Sequence, residues 1–118
     1  MITGAHTIIF SANPDADRAL FADVLGFPSV DAGGGWQIFA LPPAELAVHP
    51  SDGAPKHELY LICDQLEQTI DELQRKGVEI TRPISDQRWG RITAFRLPGG
   101  SELALYEPRH PSPVAPDR

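Results

Sequence analysis

Leu97-Pro-Gly-Gly-Ser-Glu-Leu-Ala-Leu-Tyr-Glu-Pro108 and Leu41-Pro-Pro-Ala-Glu-Leu-Ala-Val-His-Pro50 carry the same Glu-Leu-Ala core behind the same kind of proline-containing turn. A core recurring at the same place in two halves of a chain marks an internal repeat, and a repeat decides the architecture before any single element does. Upstream of each lies an apolar run opened by a histidine, His6-Thr-Ile-Ile-Phe and His57-Glu-Leu-Tyr-Leu. The distance from histidine to glutamate is 39 residues in the first half (His6 to Glu45) and 45 in the second (His57 to Glu102), the loop from Ser85 to Arg88 absorbing the excess.

Each run leads into a helix. Asn13 is a suitable N-cap with Pro14 at the first helical position; Leu20, Phe21, Val24 and Leu25 share a face, and Gly26 ends the pattern. In the second half Asp64 and Glu67 have capping-box spacing, Leu66, Ile70 and Leu73 make the stripe, and Gly77 ends it. Strand-rich stretches follow: Phe27 to Val30, a Gly33-Gly34-Gly35 turn and a run from Trp36, then Val78 to Thr81, a loop through Asp86 and a run from Trp89. Each half therefore reads β-α-β-β-β, module 1 over about residues 4–50 and module 2 over about 56–108, in one domain spanning 1–109. Residues 110–118 form a proline-rich tail expected to run extended.

The totals agree with one domain. A length of 118 residues with 42% hydrophobic and 22% charged content suits a globular chain, and no apolar stretch reaches the roughly 18 residues of a membrane span. The single cysteine, Cys63, allows no internal disulfide, and no secretory signal follows Met1, so a cytoplasmic location is expected. With a net charge of −6 and scattered Lys and Arg, neither nucleic acid nor membrane is an expected partner; a small molecule is. A small antiparallel sheet packed on one helix leaves its other face uncovered, so two such sheets edge to edge make a cup.

His6 opening the first strand, Leu-Gly-Phe ending the first helix, Lys-Gly-Val ending the second and the closing Leu97 to Pro108 segment together resemble the vicinal oxygen chelate superfamily. That group contains glyoxalases, extradiol dioxygenases and bleomycin-resistance proteins. The resemblance spans about residues 4 to 109 and implies an α+β fold in which two βαβββ modules form a cup-shaped, incompletely closed mixed β-barrel. It also implies a ligand leading the first strand of each module and a second on each closing strand in metal-dependent members. Carried over by motif, the leading positions fall on His6 and His57 and the closing ones on Ala47 and Ala104. Alanine cannot ligate, and two histidines leave a zinc, nickel or iron site incomplete. His49 and Tyr106, two residues beyond the alanines, share their strand faces, as do Glu45 and Glu102. A set of His6, His49 and His57 is chemically sensible but displaced. The other reading makes His6 and His57 hydrogen-bonding residues of the cup.

Trp36 and Trp89 follow the turns in matching positions and suit either stacking on a flat ligand or plain packing. One of Arg88, Arg91 and Arg96 turned inward would hold a carboxylate, although solvation is the default for all three. The expected ligand pocket is Trp36, Ala47, His49, Trp89, Arg91, Ala104 and Tyr106. The expected function is bleomycin-resistance-like binding of a small molecule by a homodimer, no cofactor being required. A metal-dependent lyase, isomerase or dioxygenase using His6 and His57 is the alternative.

Overall fold

The computed structural model describes residues 7–45, 47, 50, 53–54 and 57–111. The chain is α+β, with two helices and two open sheets among the described residues. Helix α1, Pro14–Ala19, runs on into a π-helical turn, Leu20–Val24. Asn13 accepts from Ala16 N and Pro14 occupies the first turn, as read from the sequence. Gly26, with φ 72°, supplies the left-handed stop. Strands β1, Ser29–Asp31, and β2, Gln37–Phe39, then form a hairpin closed by Gly33-Gly34-Gly35, in which Asp31 Oδ1 accepts from Gly33 N at 2.7 Å.

The second half is the larger layer. Strand β3, Tyr60–Ile62, precedes α2, Leu66–Arg75; β4, Ser85–Gln87, β5, Gly90–Arg96, and β6, Glu102–Pro108, complete it. The sheet order is β3-β6-β5-β4, with β3 parallel to β6 and the other pairs antiparallel. The expected strand over Val78 to Thr81 appears as a single bridge, Ile80 to Phe95, extended by Thr81 N to Ala94 O and Arg96 N to Glu79 O. Module 2 thus reads β-α-β-β-β through β4, which forms at Ser85–Gln87 where a loop is expected, while the expected strand at Val78 to Thr81 is reduced to the bridge. In module 1, Thr7 to Phe10 and Leu41 to Glu45 run outside any strand, while Leu46, Val48 and His49 lie outside the described residues.

One capping expectation needs correction. The N-cap of α2 is Gln65, not Asp64, and its side chain makes no cap bond. Instead Leu66 N donates to Glu107 Oε1 at 3.2 Å, so a carboxylate from β6 satisfies a free N–H of the first helical turn. Local spacing could not show this, because the cap comes from a residue 41 positions away.

The core lies between α2 and the sheet. Leu66, Leu73, Val78, Phe95, Leu97, Leu103 and Leu105 are buried together, and Leu20 is the first half's contribution. Ile9, Phe21, Val24 and Leu25 pack against its margin. The halves are also tied by a hydrogen bond from Gly99 N to buried Asp17 Oδ1 at 2.6 Å. A Cβ at Gly99 would lie 1.8 Å from Ser11 Oγ, so only glycine lets the β5–β6 turn reach α1.

Candidate functional site

Side chains alternate across a strand, so the core identifies the two faces of the larger sheet. Thr93 and Phe95 pair with Leu105 and Leu103, and these residues turn toward α2. The opposite face is therefore that of Tyr60 and Ile62 on β3, Glu102, Ala104 and Tyr106 on β6, and Gly90, Ile92, Ala94 and Arg96 on β5. This is the cup face. Ala104 sits in its middle, paired with Tyr60 on one side and Ala94 on the other. Charges close one end, where Arg82 and Arg96 bond to Glu102 and Arg96 also meets Glu79.

Aromatic rings close the other end. Tyr60 and Trp89 both stand edge-on to Tyr106, with ring centres 5.6 and 5.5 Å away. Gly90 makes room for this, since a Cβ there would lie 3.2 Å from the Tyr106 ring and 2.7 Å from Glu107 O. The Tyr106 hydroxyl donates to Glu45 Oε1 at 3.4 Å and lies 2.6 Å from His110 Nε2. Burial, with the Glu45 charge second, pushes the Tyr106 hydroxyl above the ordinary tyrosine value. Tyr60 is raised likewise, by burial and by its own bond to Glu58 at 3.1 Å.

Of the expected pocket residues, the structure brings Trp89, Ala104 and Tyr106 together. Trp36 is elsewhere: it stands on the β1–β2 turn, 61% exposed, with the Arg18 guanidinium 5.8 Å from its ring centre. Ala47 is exposed, and His49 and His6 lie outside the described residues. Arg91 is placed on the helix-facing side, in phase with Thr93 and Phe95, where it bonds to Glu67 on α2 and Glu107 on β6. The arginine that the cup face carries on β5 is Arg96.

Of the two leading histidines, His57 is described and exposed, and His6 lies outside the described residues. Ile8 and Phe10 are exposed while Ile9 meets the core; Tyr60 and Ile62 turn away from the core while Leu59, Leu61 and Cys63 pack on it. In sequence, Glu58 stands seven residues before the N-cap Gln65, the same distance as His6 before Asn13. The missed members of the aromatic end are Glu45, Glu58, Tyr60 and His110. Among the described residues no three His, Cys, Asp or Glu side chains are grouped to hold a metal ion, so the described donors do not make the metal set implied by the resemblance.

A mixed open sheet packed on one helix, with a helix and a hairpin attached and its opposite face outside the main core cluster, defines an α+β fold of two modules. The profile of the glyoxalase/bleomycin resistance protein/dioxygenase superfamily matches residues 4–105, and the chain belongs to that superfamily. A comparison with curated proteins finds no match. Among solved structures, a lactoylglutathione lyase from Agrobacterium tumefaciens superposes with a TM-score of 0.65 at 13% identity, over 89% of this chain and 92% of that one. A superfamily member from Sphaerobacter thermophilus gives 0.62 at 25% identity, over 90% and 98%. An antibiotic binding protein from a Streptomyces species gives 0.62 at 21%, over 92% and 99%.

Proposed function

We propose that the protein binds an organic small molecule in its cup without the standard metal site of the superfamily, in the manner of bleomycin-resistance proteins. The observation that carries this reading is the make-up of the cup face: Ala104, where metal-dependent relatives carry a ligand, is framed by Tyr60, Ala94 and Tyr106, with Trp89 at the rim. Small floor residues and aromatic edges suit a flat ring, and the tyrosine hydroxyls give it direction. One solved neighbour is named for antibiotic binding and another as a lyase, so the side chains and not the fold choose between them.

A metal-dependent lyase, isomerase or dioxygenase using His6 and His57 with zinc, nickel or iron is the second reading. Sequence spacing adds Glu58 to its candidate donors, an anionic oxygen as far before Gln65 as His6 is before Asn13. Metal analysis of protein purified without an affinity tag, followed by titration of aromatic compounds against Trp89 fluorescence with and without EDTA, separates the two. The proposal expects well under one equivalent of metal and quenching that EDTA leaves unchanged. One tightly held equivalent, or binding abolished by EDTA, would overturn it.

The assembly we infer is a cytoplasmic homodimer. Ile8, Phe10, Val30 and Trp36, all more than half exposed, give the first half an apolar surface that a second copy would cover. Light scattering at tens of micromolar tests this, and a monomer there would count against it.

A further inference from the structure

The bridge of Ile80 to Phe95 carries the cup face one segment beyond β5. Ile80 packs on the core with Phe95, so its neighbours Glu79 and Thr81 turn to the opposite side, where Thr81 N donates to Ala94 O and Arg96 N to Glu79 O. Two rows of side chains then cross the face. Tyr60, Ala104, Ala94 and Thr81 make the first; Glu102, Arg96 and Glu79 make the second, two residues or about 6.6 Å along the strands.

The second row is made of charges, and its two arginines are held unequally. Glu102 Oε1 accepts from Arg82 Nε at 3.0 Å and lies 2.9 Å from Nη2, so one carboxylate takes up Arg82. Arg96 is held at longer range: Gly100 O accepts from Nη1 at 3.3 Å, Glu79 Oε1 lies 3.5 Å from Nε, and Glu102 Oε2 lies 3.8 Å from Nη2. Every other ion-paired arginine among the described residues has a contact of 3.1 Å or less. The Arg96 side chain is 43% exposed and that of Glu79 65%, so water screens the pair between them and little is lost when it opens. A guanidinium carries a planar fork of N–H donors, and three long contacts do not fill it.

We propose that Arg96 is the specificity-determining residue of the cup and that the ligand is a flat aromatic acid. Its ring lies on Ala104 beside Tyr60 and the Tyr106 end, and its carboxylate takes the Arg96 fork as a bidentate pair while Glu79 turns out to water. One row separates Ala104 from Arg96, a distance that a carboxylate on the ring and the arginine side chain bridge together. The carboxylate matches the fork in shape and charge, and a bidentate pair is stronger than the long, exposed contacts it replaces. Glu102 stays with Arg82, which offsets its charge beside the incoming acid. This inference rests on the cup reading above and adds to it the charge of the ligand.

Three probes of one ring size test it on the full chain by isothermal titration at neutral pH: 2-naphthoate, the neutral 2-naphthamide and the 2-naphthylmethylammonium cation. The acid should bind roughly tenfold more tightly than the amide, with the cation weakest. Arg96→Gln should bring the acid to within about threefold of the amide and leave the amide where it was. Arg96→Lys, which keeps the charge and loses the fork, should fall between, and Glu79→Gln, which releases the guanidinium, should tighten the acid about twofold. Arg75→Gln, at the exposed end of α2, is the control and should change nothing. Equal affinity for acid and amide in the unaltered protein, or a preference that survives Arg96→Gln, would overturn the proposal and leave the cup reading standing. If none of the three binds, the cup reading falls and takes the proposal with it. Far-ultraviolet circular dichroism of each variant separates a lost contact from a lost fold.

Discussion

The two halves descend from one pattern, yet they are stabilised differently. Module 2 has a ten-residue helix whose Leu66 and Leu73 are buried against a four-stranded sheet with two seven-residue strands. Module 1 has a six-residue helix with a π-helical extension, two three-residue strands, and large apolar side chains left in the open, with Phe10 89% exposed. The difference teaches that repetition of sequence does not distribute the core evenly. Module 2 holds the packing, and module 1 is attached to it through Leu20, the side chains around it and the Asp17 bond to Gly99.

The sharpest way to break that contrast is to shorten one phenylalanine in each half. Phe95 is fully buried, so Phe95→Ala should cost about 3–5 kcal/mol through lost burial and a residual cavity. Phe10→Ala should cost no more than about 0.5 kcal/mol in the monomer, as a surface change does. Urea unfolding at two protein concentrations reads both. A large cost for Phe10→Ala that grows with concentration would mean that a second copy covers it; a large cost at every concentration would give module 1 a core of its own.

Glycines divide the halves in the same way. At Gly90 a new Cβ would meet the backbone oxygen of Glu107 at 2.7 Å, which cannot yield without moving β6, so Gly90→Ala should cost about 1–3 kcal/mol. Gly34, with φ 62° and open space around it, needs only a residue that accepts the left-handed region. Gly34→Asn should therefore leave the melting temperature nearly unchanged. Equal losses at the two positions would show that the β5–β6 packing is softer than the structure indicates.

Much of this contrast was legible in the sequence. The α+β class, the N-cap at Asn13 with Pro14 in the first turn, the stops at Gly26 and Gly77 and the shared face of Ala104 and Tyr106 follow from local spacing and alternation, whereas the first and last strands expected of module 1 do not form at Thr7 to Phe10 and Leu41 to Glu45. What escaped depends on phase or on distance. Pairing His57 with His6 by residue type and pairing Glu58 with it by distance to the helix differ by one position, and a one-residue slip exchanges the faces of every side chain in a strand. Arg91 was assigned to the cup by its proximity to other arginines, whereas its partners Glu67 and Glu107 lie 24 and 16 residues away. The contact between Glu45 and Tyr106 joins the modules and leaves no trace in either half alone.

Matching sequence positions ahead of the two helices also predict different thiol and hydroxyl behaviour. Ser11 and Cys63 correspond under the alignment that pairs His6 with Glu58, and Ser11 is a local cap, its Oγ accepting from Asn13 N. Cys63 packs on the core, where burial pushes its thiol from 9.0 up to about 11. Its thiolate fraction at pH 8 is then about a hundredfold below that of a free thiol, so a disulfide reagent should react about a hundredfold more slowly with native than with urea-unfolded protein. The rate should climb with pH up to about 11. Native labelling as fast as unfolded labelling would show that the end of β3 opens freely.

The smallest expected effect concerns the ion pairs between α2 and the sheet, where Arg91 meets Glu67 and Glu107. The Arg91 hydrogen bond holds the Glu67 carboxyl below the ordinary carboxylate range. A group depressed in this way adds stability that is present above its unfolded value and is lost as pH falls through its folded value. Arg91→Ala should therefore lower stability slightly at pH 7 to 8, where this contribution is present, and flatten the acid limb below about pH 4.3, where an unperturbed glutamate titrates, so that the variant and the parent converge in acid. Glu107→Gln is the control. Its amide oxygen can still accept from Leu66 N, so the helix cap survives while the ion pair with Arg91 is removed. If thermal melts from pH 3 to 8 show Glu107→Gln weakening the protein as much as Arg91→Ala does, the charge on Glu107 matters and Glu67 alone does not carry the tie. If neither variant alters the acid limb, the anchoring of α2 is apolar, through Leu66 and Leu73, and the ion pairs over it contribute only position.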